Sequence, residues 1–527
     1  MNIHQATNWH ESSRKLFERL ILAVLFVFGA YTLSQPVINN DMAGLAYVAI
    51  LCLGALFTVT ILKNWRTGVY LLLTWILFED FARKMLGNNM VIYFVKDIFL
   101  LLVYISYVAA LTRKSVATIR PPFLIPLLLF IWFGILQVFN PASTSLLFGV
   151  LGVKLFYAYT PLFFLGYALL TSEADLRRFF NLNMLLMLII GSLGVAQSIL
   201  GPTFLNPGKQ AKELELLSTL YRVAPESGAV AYRPTSVFVS AGRFGNFMLV
   251  SWLLALAFTG YLLLRRREGR KLTFAALLVV AGVILLGASR GLFMLGGGSL
   301  TAMGLAYIWG APGGRGQLLR IFHAARRSAF AVVLAFTLLF LIYPEALLSR
   351  LAIYSETLTP GGAHSELQSR MWDYPLNNFL MAFSYERWPY GYGIGTSSLG
   401  VQYIANIFHV PPLGVGVEGG FGALVVEMGV GGLIFWFIMS FAVLISAWRI
   451  VKKLRGSPWF PIAFAIFWYA FLLLLPITFG SIVAYEDFVM NAYLWLLLGI
   501  LFRLPHIQLS SQFAKVTPAP KLRFRFR

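Results

Sequence analysis

Apolar runs of about twenty residues recur along almost the whole chain, each as long as a helix needs to cross roughly 30 Å of hydrocarbon. No other feature constrains the fold so strongly. Where water is excluded, such a run must satisfy its backbone N–H and C=O groups internally, which leaves helices or a closed barrel. A barrel would alternate apolar and polar residues in segments of about ten, and these runs do not alternate. Composition agrees, because 59% of the 527 residues are hydrophobic and only 12% are charged. A soluble domain carries about a quarter charged residues. The expected fold class is an all-α polytopic membrane protein.

About fourteen spans are expected from the lengths of these runs. They lie at 16–34, 43–62, 67–80, 92–112, 122–139, 147–170, 181–200, 245–264, 272–288, 291–310, 328–344, 421–448, 458–479 and 485–503. The start "MNIHQATNWHESSRK" precedes the first run without a small-residue cleavage site, so that run reads as a retained helix. Cys52 is the single cysteine, which excludes an intramolecular disulfide.

A net charge of +21 can signal nucleic acid, but here the basic residues fall in short clusters between spans. "KNWR", "RKSVATIR", "LRR", "RRREGRK", "RGQLLRIFHAARR" and "RIVKKLRG" all fall on one side. With both termini, that side collects about 29 of the 42 Lys and Arg residues, which makes it cytoplasmic by the positive-inside rule. Arg83 and Lys84 fall on the other side. The expected organisation is a cytoplasmic segment 1–15, helices over 16–200 and an outer loop 201–244. Central helices over 245–344, a large outer loop 345–417, helices over 418–503 and a basic cytoplasmic tail 504–527 follow. Within the outer loops, 212–222 and 369–383 have helical apolar spacing and read as short interfacial helices.

Between two cytoplasmic clusters, the run 272–310 must cross twice, so "GASRG" (287–291) turns at the outer surface with Arg290 at its mouth. Other candidates share that face: Arg233 and Arg243 in "YRPTSVFVSAGRFGNF", Arg370 in "SRMWDY", and the glycines Gly391, Gly393 and Gly395 of "PYGYGIGTSS". "VEGGFGALVVEMGVGGL" enters the next span with Glu418, Glu427 and Gly429, and His409 stands in "IFHVPP". Arginine offers a permanent, planar, forked cation matched to phosphate oxygens, so several on one face point to a diphosphate. Within the spans, Lys96, Asp97 and Lys154 read either as helix-to-helix ion pairs or as functional charges. No spacing fits a metal site, and no cofactor is expected.

Taken in order, these motifs resemble the O-antigen ligase/polymerase superfamily of bacterial polysaccharide membrane enzymes. Arg233-Pro234, the Ser289-Arg290-Gly291 turn, "GYGIG" and the Glu427-x-Gly429 pattern match it, and Arg370 with Trp372 matches more loosely. Nine residues before Glu427, where the family has His-Asn, stand Glu418 and Gly419. The resemblance implies a GT-C-like fold and metal-independent glycosyl transfer at the periplasmic face of the inner membrane. The donor would be a glycan on a polyprenyl diphosphate and the acceptor a glycan hydroxyl. Arg233, Arg290, Arg370 and Arg243 would bind the diphosphate, and Glu418, or else His409, would serve as base. Gly391, Gly393, Gly395, Glu427 and Gly429 would shape the loop. Membrane lipids and other polysaccharide-assembly proteins are the expected partners. Polymerisation of repeat units is the first reading. Ligase-type transfer to lipid A core or protein, and a flippase or exporter without chemistry, are the alternatives.

Overall fold

Helices follow the apolar runs. The computed structural model describes residues 42–86, 90–206, 220–265, 269–312, scattered positions between 323 and 338, and 340–359, 366–398 and 400–516. The described residues are about 76% helical, and eight helices among them are long and apolar enough to cross a membrane. It is an α-helical multi-pass membrane protein.

The first helices are α1 (Met42–Lys63), α2 (Trp65–Met85), α3 (Met90–Thr112), α4 (Leu124–Val138), α5 (Leu146–Tyr157), α6 (Leu162–Leu169) and α7 (Glu173–Leu200). A two-stranded antiparallel hairpin follows, β1 (Tyr221–Val223) with β2 (Val230–Tyr232). Then come α8 (Ala241–Arg265), α9 (Arg270–Leu286) and α10 (Arg290–Gly310). The rest holds α11 (Pro344–Leu358), α12 (Tyr374–Ala382), α13 (Val401–Phe408), α14 (Gly420–Lys453), α15 (Phe460–Leu472) and α16 (Phe488–Val516).

The difference between fourteen and eight has identifiable sources. The expected span 16–34 lies outside the described residues, and 328–344 is interrupted by residues outside them. The apolar helical stretches Cys52–Lys63 of α1 and Leu124–Val138 (α4, 15 residues) are shorter than a full span. α9 reaches 17 residues, and α2 carries Glu79, Asp80, Arg83 and Lys84 near its end. The loop 345–417 is more structured than expected, because α11 occupies its start. The expected interfacial helix 369–383 forms as a π-helical turn, Ser369–Asp373, running into α12. The expected helix 212–222 ends as a strand, with Tyr221 and Arg222 in β1; its residues up to 219 lie outside the described ones.

The chain divides into two compact units. The first takes residues 1–72 and 97–110. Inside it, Trp65 meets Tyr107 edge-on at 5.1 Å and Ser106 donates to the Leu62 carbonyl at 3.3 Å. The second unit takes 73–96 and 111–527. Its axis is α16, whose residues from Val489 to Leu501 are almost wholly buried. Lipid offers no hydrophobic drive between helices, so close approach of small residues sets the packing. A Cβ on Gly166 would stand 2.1 Å from the Leu496 carbonyl oxygen, and one on Gly499 would stand 2.0 Å from that of Phe163. Backbone therefore lies against backbone where α6 meets α16.

Candidate functional site

The hairpin delivers the first arginines. Arg222 pairs with Ala231 in the β1–β2 register, and the Arg233 N–H donates to the Leu220 carbonyl at 2.7 Å. Beyond Pro234 the chain bends through Ser236, which has a positive φ of 50°. A buried Gln197 holds this bend, its side-chain oxygen accepting from the N–H groups of Thr235 (2.8 Å) and Ser236 (2.6 Å). Arg290 begins α10, where Ser289 caps the helix and accepts from the Leu292 N–H at 3.5 Å. A cation at this end of a helix opposes the helix dipole, whereas an anion there is favoured.

One helix registers both pieces. Ile353 of α11 shares a buried cluster with Ala224 and Ala231 of the hairpin and Ala288 of the turn. Arg350 is 4% exposed and donates to the carbonyls of Leu286 (2.5 Å), Ser198 (3.0 Å) and Tyr232 (3.5 Å). The Tyr354 hydroxyl donates to the Ile284 carbonyl at 3.1 Å, and its ring stacks on Phe293 at 4.6 Å. Glu356 reaches back to the hairpin tip, accepting from the N–H groups of Glu226 (2.8 Å) and Ser227 (3.3 Å).

The electrostatic result is a concentration of positive charge. The Arg233 guanidinium is pushed down to about 10, first by burial and then by the like charges of Arg222 and Arg290. Like charges disfavour one another's ionisation, so an anion between them relieves both repulsion and desolvation. The turn that ends in Arg290 and the hairpin that carries Arg233 thus pack against the same helix, α11. Arg222 and Arg350 were missed. The signal for Arg222 was available, since "YRV" and "VAY" flank the turn-forming "PESG".

Arg243 has other partners. Its Nη1 lies 2.9 and 3.0 Å from the two Asp80 carboxylate oxygens, and its Nε lies 3.5 Å from Asp487. Asp487 also caps α16, accepting from the N–H groups of Val489 and Met490. Next to this network, Lys84 donates to the Thr235 hydroxyl (2.9 Å) and the Ser236 carbonyl (3.0 Å). Lys84 is 1% exposed. It clasps the segment after Arg233 instead of lying in a solvated loop, so its place outside the basic clusters has a structural reason. Lys96 pairs with Glu79 at 3.0 Å, an ion pair between α2 and α3.

The glycine-rich stretch is bolted to α14. Gly429 interrupts that helix with φ 67° and ψ −174°, backbone that glycine alone adopts readily. The break exposes the carbonyls of Val426 and Glu427, and these accept from the N–H groups of Tyr392 (2.8 Å) and Gly393 (2.9 Å). The buried Glu427 carboxylate accepts from the Gly395 N–H (2.9 Å), the Ser397 N–H and hydroxyl (3.0 Å each) and the Ser398 hydroxyl (3.1 Å). Ser398 also lies 2.8 Å from Glu486, a second buried carboxylate that the motifs did not single out. From α4, Gln137 donates to the Tyr390 carbonyl (3.0 Å), and the neighbouring Asn140 donates to that of Gly391 (3.1 Å). Gly391, Gly393 and Gly395, all with positive φ, therefore serve tight docking rather than a phosphate cradle.

Glu418 is exposed just before α14. Its carboxylate accepts from the Tyr374 hydroxyl, and its N–H donates to the Asn378 side chain at 3.2 Å. Arg370 lies in the π-helical turn four residues before Tyr374. His409 is exposed and ends α13 in the left-handed conformation, φ 54°.

No protein-family model and no curated protein matches this chain. Function is therefore read from the chemistry of the site. Among the described residues, no group of three or more metal-ligating side chains comes together.

Proposed function

We propose that the chain is a membrane glycosyltransferase of the O-antigen ligase/polymerase type that polymerises polyprenyl-diphosphate-linked repeat units. It would have about fourteen spans in a GT-C-like arrangement, with both termini cytoplasmic and its site on the periplasmic side of the bacterial inner membrane. The observation that carries the reading is the packing of the hairpin bearing Arg222 and Arg233 against the turn that ends in Arg290, through Ala224, Ala231, Ala288 and Ile353. In transfer, the acceptor hydroxyl oxygen attacks the anomeric carbon of the donor. The bond to the diphosphate oxygen breaks with its electron pair, and the hydroxyl proton passes to a base. Charge accumulates on the departing lipid diphosphate, and fixed arginines stabilise such charge without reorganisation. Glu418, with a solvent-facing carboxylate, is the proposed base and His409 the alternative; a base must reach the hydroxyl within hydrogen-bonding distance.

The test is incubation of purified protein with its lipid-linked repeat unit. Longer lipid-linked glycans are expected from the parent and none from Arg233→Ala or Arg290→Ala. Glycan transferred to lipid A core without chain growth would make it a ligase. Donor carried across vesicles with no new glycosidic bond would make it an exporter.

A further inference from the structure

At the opposite end of the bundle from the arginine group in this orientation, a groove of about 610 Å³ opens between α7 and α9. Arg177, Arg178, Asn181, Leu182, Leu185 and Leu272 line it. The α7 positions fall at intervals of three and four, so they form one helix face. That face changes character along its length. Its first turns present two guanidinium groups and an amide; a turn later come Leu182 and Leu185, and Ile189 continues the exposed apolar stripe. At 1.5 Å per residue, Arg178 to Leu185 covers about 10 Å, the depth over which a bilayer passes from headgroup to hydrocarbon.

The carboxylates of the same turn help to hold the start of α7. Glu173 accepts from the Tyr261 hydroxyl (2.5 Å) and from Arg265 (3.2 Å). Asp175 accepts from the backbone and hydroxyls of Thr171 and Ser172 in the helix cap. Across the groove, α9 opens with Arg270 and Lys271, and the positive end of the α7 dipole points the same way. A cationic rim above an apolar channel on a membrane-spanning helix complements an amphiphile with an anionic head.

We infer that this groove binds one anionic phospholipid, its phosphate at Arg177 and Arg178 and an acyl chain along Leu182, Leu185 and Leu272. The full-length protein would be exchanged into nanodiscs of equal parts phosphatidylglycerol and phosphatidylcholine, re-extracted in mild detergent, and its retained lipid counted by native mass spectrometry. One phosphatidylglycerol per chain is expected, with phosphatidylcholine at background. Arg177→Ala/Arg178→Ala should reduce retention at least about fivefold, as loss of two near-surface charges implies. Arg177→Lys/Arg178→Lys, which keeps the charge that sets topology, should retain the lipid. Leu185→Trp fills the groove with both arginines in place and should also expel it. Inorganic phosphate at millimolar concentration should not displace it, because the acyl chain supplies much of the binding. Equal retention of both lipids, unchanged retention by the alanine and tryptophan variants, or displacement by inorganic phosphate would each overturn the inference.

Discussion

Removal of the Glu427 carboxylate tests whether the glycine-rich loop is held as described. Glu427→Ala deletes the acceptor for two backbone donors, those of Gly395 and Ser397, and for two hydroxyls. The hydroxyls can rotate toward other acceptors, but the backbone N–H groups cannot. Gly395 is buried against Phe148 and Gly152, where a Cβ would come within 2.1 Å of the Phe148 carbonyl oxygen, so the loop cannot shift to find water. Each buried donor left unsatisfied costs about 1–3 kcal/mol, so the pair costs about 2–6 kcal/mol. That is a large share of the roughly 5–15 kcal/mol that holds a typical domain folded. Glu427→Gln keeps one carbonyl oxygen for Ser397 and Ser398 but turns an amide N–H₂ toward the Gly395 donor, for about 1–3 kcal/mol. Thermal unfolding in detergent, followed by tryptophan emission together with protease cleavage within 389–398, reads the order parent, then glutamine, then alanine. A Glu427→Ala protein within about 0.5 kcal/mol of the parent, or less harmed than Glu427→Gln, would refute this account of the loop.

Gly429→Ala should destabilise by more than the roughly 1–3 kcal/mol of backbone strain, because its Cβ would stand 2.4 Å from the Pro389 carbonyl oxygen; the same melting assay reads it. Arg243→Met leaves Asp487 buried without its arginine and Asp80 with only the longer 3.8 Å pair to Arg83, and should cost about 3–5 kcal/mol, while a second change, Asp80→Asn, should return part of the loss. Arg290→Lys keeps charge but loses the planar fork, so lipid-linked glycan elongation should be strongly impaired rather than normal. Glu418→Gln should bind the lipid donor and fail to transfer, with His409→Ala milder; the reverse ranking would make the histidine the base. A lowered Arg233 value means the folded chain releases this proton before the unfolded chain does. Between about 10 and the ordinary arginine value, stability should therefore rise with pH while capture of a soluble diphosphate analogue falls.

The spans were legible because hydrocarbon imposes a length, whereas the loop glycines and Glu427 stood out only through the family resemblance, since the sequence shows neither a glycine's φ nor a carboxylate's partners. The Arg290 turn was legible from charge placement on either side of it. Arg243 was not, because its partner Asp80 lies 163 residues away and an arginine facing a carboxylate looks the same in sequence as one facing a phosphate. The 212–222 reading failed at its end for a local reason. Leu-rich spacing extended the expected helix to Arg222, while the turn-forming "PESG" lets Tyr221 and Arg222 pair with the nearby Ala231 and Tyr232 as a hairpin strand. Arg350 was passed over because its partners are carbonyls, which every residue supplies.

Gln137 also bears on how the chain is made. Its amide reaches the Met428 carbonyl at 3.5 Å across 291 residues of sequence. At an elongation rate of about 5–20 residues per second, the second residue leaves the ribosome roughly 15–60 s after the first. For most of that interval α4 resides in the membrane without the Tyr390 and Gly391 carbonyls to which Gln137 and Asn140 finally donate. In a nascent chain arrested before residue 390 those amides have only local partners, Asn140 donating to Gln137 at 2.7 Å. Resistance of truncated chains to membrane proteases should accordingly rise in a step once synthesis passes the break in α14, not gradually with each added span.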